Sequence, residues 1–390
     1  MGIPPQPPAG LAPPLAGLPP LAGLPPQVVC FGEALLDRLL PLGVEPGGGD
    51  GNIGSADACD DRLGGAPANV ACGLARLGTP AAFAGRLGTD SIGAAFQALF
   101  AGRGVNTSAL QWDPLRPSRT VLVQRDRAGE RSFGGFLGDR GAGFADQALD
   151  ATALATAAAP LLAGARWLLS GTLPLASPAS AAALTALLEL LPVATSGPID
   201  LDRPALAVDV NWRPGFWGLA PGSAPPASIV ARIWPLLERA RLLKCAAEEA
   251  RWLFASQDPL AISAALPGRP AVCITDGAAP LLWCLGGRCG WLEPLAIEVV
   301  DSTGAGDAFM AGLLHQLCAQ PQLLRPEPLL GDAQQRLEAA LRFAAGCGAL
   351  TCTAAGAIDP QPDAGQVARF LQQPVNCNQS AATRQLQRDN

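Results

Sequence analysis

The segment Val299-Val300-Asp301-Ser302-Thr303-Gly304-Ala305-Gly306-Asp307-Ala308-Phe309 constrains the fold most, because it feeds an apolar stretch into a helix through a glycine-rich turn. Leu295 to Val300 carry a β-branched, half-apolar pattern that predicts a strand, and Phe309 to Leu317 are good helix formers with few breakers. The turn therefore lies at a helix N-terminus. There the first backbone N–H groups lack intrahelical partners and the helix dipole favours anions. Gly304 and Gly306 let the backbone approach a phosphate without a Cβ in the way, so Gly304, Ala305, Gly306 and Asp307 predict an anion hole. Asp307 favours the helix by its position in the first turn and can also accept a proton from an attacking hydroxyl. A plain strand-to-helix junction with an acidic first turn would read the same way, so the chemistry needs a second motif.

That motif is Gly64-Gly65-Ala66-Pro67-Ala68-Asn69-Val70-Ala71-Cys72-Gly73-Leu74-Ala75-Arg76-Leu77-Gly78, which opens another helix and places Gly78 where a C-cap belongs. The pairing of the two glycine motifs resembles the two signatures of the PfkB-type carbohydrate kinases, the ribokinase family. The resemblance extends along the chain. Val28 to Asp37 looks like the first strand of such kinases, with its sugar-contacting Asp37, and Ala84 to Gly93 is similar to the next strand and loop. Asp209-Val210-Asn211-Trp212-Arg213 resembles the Asp-x-Asn-x-Arg segment of the fructokinase-like branch, and Lys244 to Glu249 occupies the place of the metal-associated motif. Matching segments run in family order from about Val28 to about Phe370.

The strand-helix alternation predicts one large α/β unit rather than several domains. The resemblance implies a single ribokinase-like three-layer domain with a mostly parallel central sheet and a small β lid, spanning residues 27–370. Ser118 to Gln124 and Arg131 to Phe136 read as two strands around the turn Asp126 to Gly129, and in the resembled family such strands cover the sugar and exclude water. Residues 1–26 repeat a Pro-Pro-x-x-Gly-Leu-like unit without any charge, which predicts a disordered tail leaning to polyproline II. Glu45 to Asp61 reads as an extended loop, and 371–390 as a polar C-terminal tail.

The resemblance also implies roles for individual residues. Asp307 is the base, and the N–H groups of Gly304, Ala305 and Gly306 stabilise the transferred phosphoryl group. Asp37, the Gly65 backbone and Asn69 bind the sugar, since a carboxylate and an amide make the paired hydrogen bonds that vicinal hydroxyls need. Thr275, Gly277 and Gly356 contact ATP. Glu249 holds the water shell of Mg2+, and Asp301 and Thr303 contribute to a loop for a monovalent cation such as K+. Two departures stand out. Ala246 replaces the first polar residue of the metal-associated Asn-x-x-Glu, and Pro280 fixes φ in Thr275-Asp276-Gly277-Ala278-Ala279-Pro280 where relatives have a free glycine.

The remaining composition excludes classes. The formal charge of −6 and scattered basic residues argue against nucleic acid as a partner, and Lys244 is the only lysine, so any cationic phosphate contact elsewhere must come from arginine. No apolar run long enough for a membrane span escapes Pro, Gly or charge, and the uncharged N-terminus lacks the basic region of a leader, so a cytoplasmic protein is expected. The eleven cysteines lie mostly in apolar segments and read as reduced core residues, including Cys284 with Cys289 and Cys347 with Cys352. With one histidine, His315, a Ser-His-Asp hydrolase or a multi-histidine zinc enzyme is hard to build, and His315 reads as structural. The partners expected are ATP and a small sugar, fructose first because of the Gly-Gly-Ala-Pro-Ala-Asn and Asp-x-Asn-x-Arg forms. 2-Keto-3-deoxygluconate or another sugar or nucleoside is the alternative acceptor, and a catalytically silent kinase-like binding protein the alternative class. A homodimer through the lid strands is what the family implies, and exposed strand edges are a physical reason for pairing.

Overall fold

Short apolar runs with no polar face can be strands only if both faces are covered, and this chain has several. The computed structural model describes residues 21, 23–41, 59–125, 131–139, 141–193, 203–325 and 333–373. The elements in chain order are β1 (Val28–Phe31), β2 (Leu35–Leu39), β3 (Asp60–Gly64), α1 (Ala66–Leu77), β4 (Ala81–Gly88), α2 (Ser91–Arg103), β5 (Asn106–Asp113), β6 (Thr120–Arg125), β7 (Arg131–Leu137) and α3 (Ala151–Gly164). Then follow β8 (Trp167–Ser170), α4 (Pro178–Glu189), β9 (Ala205–Asp209), α5 (Ala227–Glu238), β10 (Ala240–Ala246), α6 (Ala247–Phe254), α7 (Pro259–Ala265) and β11 (Ala271–Thr275). The last are β12 (Leu281–Leu285), β13 (Arg288–Leu292), α8 (Ala305–Ala319), α9 (Ala333–Thr351) and α10 (Ala364–Gln372).

The large sheet has the order β13-β12-β11-β10-β9-β8-β1-β4-β5, parallel from β5 to β11 and antiparallel at β12 and β13. The period-two alternation of β1 sorts its residues to opposite faces. Val28 and Cys30 join the core under α1, α2, α8, α9 and α10, while Val29 and Phe31 join the core under α3 to α7. This is the expected three-layer α/β architecture. From β1 the chain moves one way to β4 and β5, then returns to β8 on the other side, so the strand order reverses at β1 and β8. Such a switch point opens a crevice at the carboxyl ends of the strands, the usual place for a ligand in this fold class.

The expected lid is present and is larger than the hairpin read from the sequence. β6 and β7 pair antiparallel, and β2 and β3 extend them into a four-stranded sheet of order β3-β2-β6-β7. Val28 to Asp37 is thus not one strand. The chain turns at Gly32, φ +148°, where a Cβ would stand 2.7 Å from the Pro67 ring, and Asp37 continues in the lid, opposite Arg62 and Val121. The turn residues of the β6–β7 hairpin, Asp126 to Gly129, lie outside the described residues.

Other expectations change at their edges. Leu295 to Val300 is not a strand: Val299 and Val300 are exposed, and the segment is tied instead by the Val300 and Asp301 N–H groups donating to Cys352 O. Asp60 and Asp61, read as the end of a loop, pair with β2, and the rest of that loop from Glu45 lies outside the described residues except Cys59. Leu21 packs on the core, and α10 ends at Gln372. Cys284 and Cys289, expected as reduced thiols, form a disulfide, because the β12–β13 hairpin pairs them directly with Cα atoms 4.0 Å apart. Cys347 and Cys352 are free. His315 is structural: its Nδ1 lies 2.7 Å from Thr79 Oγ1 and its ring stacks on Phe343. Among the described residues no helix is long and apolar enough to cross a membrane.

Candidate active site

Gly304 is the N-cap of α8 in the left-handed region, φ +76°, which glycine reaches without strain. A Cβ there would sit 2.6 Å from Ala357 Cβ, so the position is doubly reserved. Gly306 is glycine for a further reason that the sequence did not show. A Cβ on it would meet Lys244 Nζ at 2.8 Å, so the single lysine of the chain has its ammonium directly against the turn expected to form an anion hole. Lys244 comes from β10, and its Nζ donates to Asp209 Oδ1 and Oδ2 at 3.0 and 3.1 Å at the end of neighbouring β9. Burial works against the charged amine, but Asp209, Glu249 and Asp307 together hold its pKa above the ordinary lysine range.

Asp307 stands in the first turn of α8 and its Oδ2 accepts a 2.7 Å hydrogen bond from Asn69 Nδ2 of α1. Burial, seconded by the charge of Asp209, raises its pKa, while Asn69, Lys244 and Arg213 pull the other way. The two glycine motifs of the sequence therefore meet through one hydrogen bond. Asn69 Oδ1 is buried without a protein partner, and Asn69 O accepts from buried Gln361 Nε2 at 2.8 Å. Gly65, φ +102°, caps α1, where a Cβ would be 2.6 Å from Glu33 O. Asp37 approaches the same glycine pair from the lid, its Oδ2 lying 2.9 Å from the place a Gly64 Cβ would take.

The crevice at the switch point is lined by the carboxyl ends of β1, β8 and β9. Glu33 follows β1, Ser170 ends β8 and Gly171 follows it, and Asp209 ends β9 with Asn211 just beyond. Asn211 holds φ +43°, unusual for a residue with a Cβ. A second cavity continues on the other side of Glu33 toward Arg119, Asp146, Ser180 and Phe216. Arg119, at the start of the lid, makes a bidentate pair with Asp146 at 2.7 and 2.8 Å, and its guanidinium sits 4.4 to 4.9 Å from the ring centres of Phe136, Phe144 and Phe216.

The remaining expected residues fall into two groups. Asp301, Thr303 and Gly356 come together: Asp301 Oδ1 accepts from Thr303 N and Oγ1 at 3.0 and 2.7 Å, and Asp301 Oδ2 accepts from Gly356 N at 2.8 Å. Thr275 ends β11 and is registered with Ala246 on β10, and Gly277, φ +53°, lies in the turn that follows. Glu249 is committed to the backbone, its two oxygens accepting from Trp212 N and Ala246 N, both at 2.6 Å. Burial raises its pKa, and Lys244 opposes that. Among the described residues no group of three or more His, Cys, Asp or Glu is arranged to hold a metal.

Glu33, Lys244 and the Arg119–Asp146 pair are the site residues that the sequence reading passed over. Only Lys244 carried a visible signal, as the single lysine of the chain. The others become functional candidates through contacts across 27 to more than 200 residues of sequence.

Comparison with known proteins gives the family. The family described as "pfkB family carbohydrate kinase" matches residues 26–195 and 220–364. Probable fructokinase-6, chloroplastic, of Arabidopsis thaliana is 31% identical over 340 residues, covering 86% of this chain and 79% of the relative. The fructokinase of Escherichia coli is 31% identical over 322 residues, covering 80% and 94%. Among solved structures, fructokinase from Xylella fastidiosa with bound ATP superposes with a TM-score of 0.67 at 26% identity, covering 88% of this chain and 98% of that one. Fructokinase from Vibrio cholerae O395, bound to fructose, ADP and a calcium ion, gives 0.66 at 25%, covering 89% and 99%.

Proposed function

Because this chain belongs to the pfkB family of carbohydrate kinases, we propose that it phosphorylates fructose with ATP and that Asp307 is the base. The observation that carries the reading is the meeting of Asp307, Asn69, Lys244 and the Gly304–Gly306 turn at the N-terminus of α8. A loose phosphoryl-transfer transition state asks the protein for position and charge rather than covalent chemistry. Asp307 accepts the proton of the attacking hydroxyl. The N–H groups of Gly304, Ala305 and Gly306 face the charge that develops on the transferred group, and Lys244 adds a buried cation behind them. Asn69 orients Asp307 through Nδ2 and keeps Oδ1 to accept from a sugar hydroxyl. Asp37 and the Gly65 backbone hold the sugar from the lid and from the start of α1.

The described carboxylates form no cage of their own for a metal, which suits a magnesium ion brought in with the triphosphate and held mainly by phosphate oxygens and water. Magnesium, when bound, neutralises the triphosphate and orients it. Glu249, held by two N–H donors, would act on it through water, and Asp301 with Thr303 would hold potassium beside the anion hole. Thr275, Gly277 and Gly356 would line the nucleotide. In this reading the enzyme works in the cytoplasm, and two copies pair through the lid edges β3 and β7.

The test is a coupled ADP-release assay with ATP and magnesium against fructose, ribose, 2-keto-3-deoxygluconate and adenosine. Fructose is expected to give the highest kcat/KM, and Asp307→Asn to lower kcat by about 10²–10⁴. A variant within about tenfold of the parent would remove Asp307 from the role of base.

A further inference from the structure

Glu33 is buried at the switch point, between the two cavities, and lines both. Its Oε1 accepts from Ala66 N, the first residue of α1, at 3.1 Å. The charged groups around it are mostly of its own sign: Asp307 from α8, Asp146 from the turn after β7, and Asp209 at the end of β9. Arg119 lines the second cavity but is spent on Asp146 and enclosed by three phenylalanines. Burial and the like charges of Asp146 and Asp307 disfavour an ionised carboxyl here, against which the N–H groups of Ala66 and of Glu33 itself donate.

We propose that Glu33 is a specificity-determining residue of the acceptor pocket, which holds a hydrogen-bond-accepting oxygen of the sugar by donating from a protonated carboxyl. The inference rests on the sugar-kinase reading above. It divides labour between two carboxyl groups in one crevice: Asp307, hydrogen-bonded by Asn69 and near Lys244 and Arg213, takes a proton, and Glu33 keeps one. Burial pushes the Glu33 carboxyl up to about 8, which agrees with this placement. Above that pH it would ionise and turn a donor into a third negative charge next to the sugar.

The experiment is steady-state kinetics with fructose and, separately, ATP as the varied substrate, from about pH 6 to about pH 9.5, in the parent enzyme, Glu33→Gln and Glu33→Ala. The fructose KM of the parent should stay level to near pH 8 and then climb with a limiting slope of about tenfold per pH unit. The ATP KM should stay level throughout. Glu33→Gln, whose amide donates at every pH, should keep the neutral-pH fructose KM within about threefold and lose the alkaline climb. Glu33→Ala should raise the fructose KM about tenfold at every pH. A parent KM that is flat to about pH 9.5, or an alkaline climb that persists in Glu33→Gln, overturns the proposal even if Glu33→Ala does not fold. A parent enzyme that binds ATP yet releases no ADP with any sugar overturns the kinase reading, and this inference with it.

Discussion

At the scale of single residues, the glycines of the α8 turn are fixed by what stands next to them. Gly304→Ala would force a Cβ onto the Ala357 backbone at 2.7 Å from a φ of +76°. It is expected to lower stability by about 1–3 kcal/mol, seen as a reduced Tm, together with loss of activity. Gly306→Ala meets only the tip of Lys244, which can move, so Tm should change little while kcat falls as Nζ leaves Asp209. An equal Tm loss in both variants would contradict this account. Titration separates the two carboxyls further. Asp307 must be ionised to act, and its pKa is raised, so kcat/KM should fall on acidification at a pH above the ordinary aspartate range, reported by the acid limb of the pH profile. Glu33 has a folded pKa near 8, above the ordinary 4.5. Its contribution to stability is therefore fully present below about 4.5 and is lost as pH rises through about 8. Urea unfolding across that window should show stability falling with pH in the parent and less so in Glu33→Gln. The placement of Gly304, Gly306 and Asp307 at the start of α8 was legible in the sequence because a glycine turn opening a helix is local chemistry. Glu33 was not, since a lone glutamate after a strand looks like any surface acid until burial and Asp146 are known.

At the scale of elements, α8 is the part that must not shift if its first turn is to serve as the proposed anion hole. It is clamped on two sides at distances only glycine allows. A Cβ on Gly73 of α1 would be 2.9 Å from Ala311 Cβ, one on Gly312 2.8 Å from Cys347 Sγ of α9, and one on Gly348 2.9 Å from Ala305 O. Gly312→Ala should therefore lower stability by about 1–3 kcal/mol through overpacking, measured as a Tm decrease, and should reduce kcat more than the sugar KM because the turn moves with the helix. The helices α1 and α8 were readable from their capping signals, including Gly78, which adopts φ +94° as a left-handed C-cap. The strand expected at Leu295 to Val300 was not real. Its alternation is genuine, but strand propensity becomes a strand only when a neighbour supplies a ladder, and here Cys352 O takes the two N–H groups instead.

At the scale of the molecule, two sheets close over one crevice, and Arg119 is the fastener. It lies where the lid begins, pairs with Asp146 of the body, and is packed among Phe136 of the lid and Phe144 and Phe216 of the body. Arg119→Ala should leave Asp146 buried and uncompensated, at a cost of about 3–5 kcal/mol. It should also loosen the cover, so that ADP forms in excess of sugar phosphate as water reaches the phosphoryl group. Arg119→Lys should not restore coupling, since a point charge cannot reproduce the bidentate fork. A one-to-one ratio of ADP to sugar phosphate in Arg119→Ala would refute the fastener. The sequence by itself determined the class of fold, the two helix N-termini and the place of Asp307 in the first turn of α8, because glycine turns, caps and periodicity are written within about one helical turn or strand. The tertiary structure alone decided that Asp37 belongs to the lid, that Lys244 lies against Gly306, that Asn69 holds Asp307, and that Glu33 is shut in beside them. Those facts depend on strand order and on the dielectric of a closed crevice, and neither is a property of any short stretch of chain.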